Sequence, residues 1–80
     1  DSNGNSLKFS SAGITIESGA ALHIKTSTET KLDIGSSGEI KTSAGLDIKA
    51  GAALKLEGSA GAELSTPAIA KVKGSLVQIN

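Results

Sequence analysis

From Glu17 to the end of the chain, every charged residue has an odd number: Glu17, Lys25, Glu29, Lys31, Asp33, Glu39, Lys41, Asp47, Lys49, Lys55, Glu57, Glu63, Lys71 and Lys73. The large apolar residues from Leu22 to Val72 have even numbers, Ile24, Leu32, Ile40, Leu46, Ile48, Leu54, Leu56 and Leu64 among them, with Ile69 the exception. Such alternation is period two, the period of a β-strand with one face turned to a core. An amphipathic helix would need apolar residues at i, i+3 and i+4, and that spacing is missing.

A second period, of eight, lies over the first. Ile16, Ile24, Leu32, Ile40, Ile48, Leu56, Leu64 and Val72 form an unbroken apolar column, with a looser inward column two residues earlier, from Ile14 and Leu22 to Ala70. The charges flank the main column, as Lys31 and Asp33 flank Leu32. Between strands the residues are small: Gly19, Ser27, Gly35, Ser43, Gly51, Ser59 and Pro67, each followed mostly by Ala or Ser. Gly, Ser and Pro accept turn geometry. Each octad therefore reads as a strand of about five residues and a corner of about three. The Gly/Ser alternation at the corners hints at a 16-residue super-period. Leu7 and Phe9 are odd, so one residue of slip is expected before Ile14, near Ala12-Gly13. At the far end Val77 and Ile79 break the parity, which predicts a bulge or closing cap near Gly74-Ser75. The reading is one all-β domain over residues 1–80: an irregular lead-in over 1–11, with polar Asp1 to Ser6 disordered, octad repeats over 12–73, and a cap over 74–80.

Composition decides how such strands are buried. The chain has 80 residues, one aromatic (Phe9), no Trp, Tyr or Met, and much of its 38% hydrophobic content is Ala. A globule of this kind would struggle to offset about 1–2 kcal/mol of backbone entropy per residue, and without Cys no disulfide assists. Association with other chains is the expected source of burial. Eight extended residues reach at most about 26 Å, one side of a small prism plus a corner. Three chains, each supplying one side of a triangular layer, close a core that one chain does not. The expected fold is a homotrimer, an intertwined triple-stranded β-helix, or triangular β-prism, built of octads. The chain begins at Asp1 rather than Met, so it reads as a fragment of a larger protein.

Charge narrows the partners. Eight basic and eight acidic residues cancel, which argues against nucleic acid and against an anionic membrane surface. No apolar run approaches the ~20 residues that span a bilayer. No catalytic constellation is present. His23, the one histidine, sits on the outward phase with no nucleophile or orienting partner in sequence reach, and neither catalysis nor a metal is expected of it. Gly35-Ser36-Ser37-Gly38 and Gly58-Ser59-Ala60-Gly61 lack the following GK[ST] and helix of a phosphate loop and read as corners. Thr26, Thr28 and Thr30 form an inward T-x-T-x-T run, a locally polar core layer. The chain is expected to be no enzyme and to need no cofactor.

The apolar-charge-apolar-charge strands with Gly/Ser/Ala corners, together with the ending Val72-Lys73-Gly74-Ser75-Leu76-Val77-Gln78-Ile79-Asn80, resemble the C-terminal spike of the VgrG proteins of type VI secretion systems. These are similar to the central spikes of contractile phage tails. The chain lacks the Val-Gly dipeptides of that family, which leaves a phage spike open as its source. The resemblance implies a trimeric needle, assembled in the bacterial cytoplasm on a tail tube and exported into a target cell or the medium. It would puncture the target membrane mechanically and carry a PAAR-repeat tip protein or effector. Docking would fall on Leu76, Val77, Gln78, Ile79 and Asn80. Two other readings stand beside it: a phage-type host-binding fibre, and a monomeric β-solenoid scaffold whose coil is the 16-residue super-period.

Overall fold

The structure, a computed structural model, describes residues 1–80. It contains no helix and one sheet, of two strands. The chain divides into two units, Asp1–Ile40 and Lys41–Asn80.

The first unit opens with an antiparallel hairpin. Strand β1 spans Ser6–Ser10 and β2 spans Gly13–Glu17. The register sets Leu7 opposite Ile16 and Phe9 opposite Ile14, so the four apolar side chains share one face. A two-residue turn pairs odd positions with even ones. The apolar parity must therefore invert across it, and the slip expected near Ala12-Gly13 is this reversal. Neither turn residue has a positive φ; Gly13, which follows them, does, at 136°, a conformation other residues reach only with strain.

Within the expected lead-in over 1–11, Ser6–Ser10 is a strand. The polar start is ordered as well, because the Asp1 carboxylate gathers the donors around it. One of its oxygens accepts from the Asn3 amide at 2.8 Å and the Asn5 amide at 3.2 Å. Asn5 Oδ1 in turn accepts from the Gly19 amide at 2.9 Å. A Cβ on Gly19 would collide with the Asn3 carbonyl oxygen, so only glycine admits this approach. Asn5, Ser6 and Ser18 are partly covered, whereas every other residue is largely exposed.

The hairpin turn at Ser11-Ala12 is the first of a regular series. In the first unit the chain bends again at Gly19-Ala20, Ser27-Thr28 and Gly35-Ser36. In the second it bends at Ser43-Ala44, Gly51-Ala52, Ser59-Ala60, Pro67-Ala68 and Ser75-Leu76. Successive corners are eight residues apart throughout, and those from Gly19 to Pro67 fall at the small-residue positions expected of them. The last corner, Ser75-Leu76, keeps the same spacing. Between bends lie unbent runs of six residues, and none pairs with another run of the chain beyond the hairpin.

The consequence is a chain without a core. No residue is buried. The accessible surface is 8669 Å², against about 4,400 Å² for a compact monomer of this mass and about 11,500 Å² for its unfolded chain. Alone, the chain keeps far more surface than a folded monomer does.

Candidate functional site

The corners are built by a hydroxyl that sequence patterning did not single out. Ser18 Oγ donates to the Ala21 carbonyl at 2.7 Å and accepts from the Ala20 amide at 3.3 Å. Thr42 Oγ1 donates to the Gly45 carbonyl at 3.0 Å, and Thr66 Oγ1 accepts from the Ala68 amide at 3.1 Å. These residues precede their corners by one position, and such local bonds favour turns over longer ladders. Where glycine takes that position, at Gly58, the carbonyl three residues on comes close instead, and a Cβ there would collide with the Gly61 oxygen.

Across two corners of the first unit, even-numbered residues meet. Thr26 Oγ1 and Thr30 Oγ1 share a hydrogen bond at 2.8 Å. The Ile34 side chain reaches over Gly38, where an added Cβ would lie 2.6 Å from Ile34 Cδ1. Even-numbered side chains thus lie on the inner side of these bends. One of the two hydroxyls donates to the other, and both residues remain exposed.

The apolar column stays open to solvent. Leu32 is 79% exposed, Leu56 80% and Ile48 57%. The C-terminal candidates behave likewise. Leu76 is 82% exposed and occupies the last corner, Ile79 is 90% exposed, and Val77 is half-exposed. Gln78 and Asn80 are also exposed. Alternation along the run after the corner sets Val77 and Ile79 on one side and Gln78 and Asn80 on the other. A single chain does not gather the five residues into one surface.

No enclosed pocket exists, and no group of three potential metal ligands comes together. The chemistry on offer is apolar contact along one face and charge along the other. Comparison with protein-family models, curated proteins and solved structures finds no match to this chain.

Proposed function

We propose that the chain is a structural spike of a contractile injection apparatus of the type VI kind, and not an enzyme. Three copies form an intertwined triple-stranded β-helix, with the even-numbered column turned to a shared axis and the odd-numbered charges to solvent. One observation carries this reading. Corners recur every eight residues, and the apolar residue of each octad between them is left open to solvent. Burial of that column is worth about 25 cal/mol per Å² of apolar surface, and within the chain nothing covers it. A monomeric solenoid would pair successive runs of the one chain along its length, and no such pairing is present beyond β2.

In the assembled particle Leu76, Val77, Gln78, Ile79 and Asn80 recur three times around the axis and form the face that docks a PAAR-repeat tip protein or effector. The spike is assembled in the bacterial cytoplasm and driven outward by force from elsewhere in the machine. Its own contribution is stiffness. The test is the mass of the folded particle by light scattering behind size exclusion. Three times the 7.9 kDa chain mass is expected; a value near one chain sinks the proposal.

A further inference from the structure

The outward charges have a pattern that a single chain leaves unused. Two ion pairs form within it, Lys31 to Glu29 at 3.8 Å and Lys55 to Glu57 at 3.7 Å, each joining two residues of one chain segment. Lys25, Asp33, Glu39, Lys41, Asp47 and Lys49 have no partner. Yet the signs alternate from one octad to the next. After the apolar column the order is Glu17, Lys25, Asp33, Lys41; before it come Asp47, Lys55, Glu63, Lys71. Runs of the same chain do not pair beyond β2, so this alternation serves no contact inside one copy.

We propose that the charges form a ladder between copies, in which each octad of one chain lies beside the following octad of its neighbour. The proposal rests on the trimeric reading above. Charge complementarity selects this offset. If identical octads lay side by side, every charged column position would face its own sign, which is destabilising at strand spacing. An offset of one octad gives eight opposite-sign neighbours and two like-sign ones in the two flanking columns. An offset of two gives five and four, and an offset of three gives two and five. Both like-sign contacts at the favoured offset fall at one junction, where Glu39 meets Asp47 and Lys41 meets Lys49. The ladder therefore has a single weak rung.

The weak rung makes two matched substitutions unequal. Asp33→Lys turns two attractive contacts, to Lys25 and Lys41, into repulsive ones in every copy. Asp47→Lys repairs the contact to Glu39 while spoiling that to Lys55. Each places a lysine two residues from another, Lys31 or Lys49, so their effects within the chain are alike. With particle mass monitored by light scattering, Asp33→Lys should lower Tm by roughly 5–10 °C, and Asp47→Lys should shift it by less than about 2 °C. Equal shifts overturn the offset. The chain has no cysteine, which permits a second measurement. Lys55→Cys combined with Glu63→Cys, treated with a short bismaleimide, should give trimers that survive detergent, whereas Lys55→Cys alone should not cross-link. Dimers from the single variant would overturn the proposal by making identical octads neighbours. A three-chain mass without cross-linking in the double variant overturns the ladder and leaves the trimer standing; a one-chain mass overturns both.

Discussion

The corner at Ser10 to Gly13 and the corner at Ser18 to Ala21 begin alike and end apart. In both, a serine hydroxyl donates to the carbonyl three residues on, Gly13 at 3.5 Å and Ala21 at 2.7 Å. In both it accepts from the amide two residues on, Ala12 at 3.2 Å and Ala20 at 3.3 Å. Past the clamp the two paths separate. Gly13 takes a φ of 136° and the chain doubles back, so Phe9 meets Ile14. Ala21 has no positive φ, and the chain bends and moves on. One backbone angle thus separates an octad that pairs with its own chain from octads that pair with no other run of it.

The comparison sharpens under substitution. Ile48→Asp should have the largest effect. In the proposed trimer it would bring three like charges together near the axis, where desolvation of a charge is costly. The expected outcome is loss of the three-chain particle by light scattering; a variant as stable as the parent in a thermal melt would mean that the even-numbered face is not the inner one. Gly13→Ala comes next. A Cβ there meets nothing within 4 Å, so its cost is that of the backbone angle alone, about 1–3 kcal/mol. Amide hydrogen exchange should quicken across β1 and β2 while residues beyond Gly35 keep the parent's rates. Thr42→Val should have the smallest effect. It removes the bond to the Gly45 carbonyl with little change of shape, about 0.5–1.5 kcal/mol, read as a small fall in Tm. If Thr42→Val cost as much as Gly13→Ala, the hydroxyl rather than the glycine angle would be the stronger determinant of a corner.

Much of the octad pattern was legible because it rests on local rules. Small residues at 19, 27, 35 and onward place the bends where they are found, since Gly, Ser and Pro accept turn geometry. The parity switch between Phe9 and Ile14 was visible too, but a slip and a reversal leave the same trace in a series of apolar positions. Only the register separates them. The clamping hydroxyls were harder to read. Ser10, Ser18, Thr42 and Thr66 share one octad position, yet Ile34, Ala50, Gly58 and Gly74 interrupt the column. The ordering of Asp1 to Asn5 depends on a contact with Gly19, fourteen residues beyond Asn5, which no local pattern announces. Leu76 to Asn80 come from a family resemblance, and in the single chain they lie exposed without forming one surface.

The constant spacing of the corners also makes the chain divisible. An insertion or deletion of eight residues restores every hydroxyl, glycine and apolar position to its place relative to the next bend. Sixteen also preserves the alternation of charge sign, whereas seven would turn the apolar residues outward. Growth of such a chain by duplication is therefore quantised, with a step of one octad for shape and two for charge.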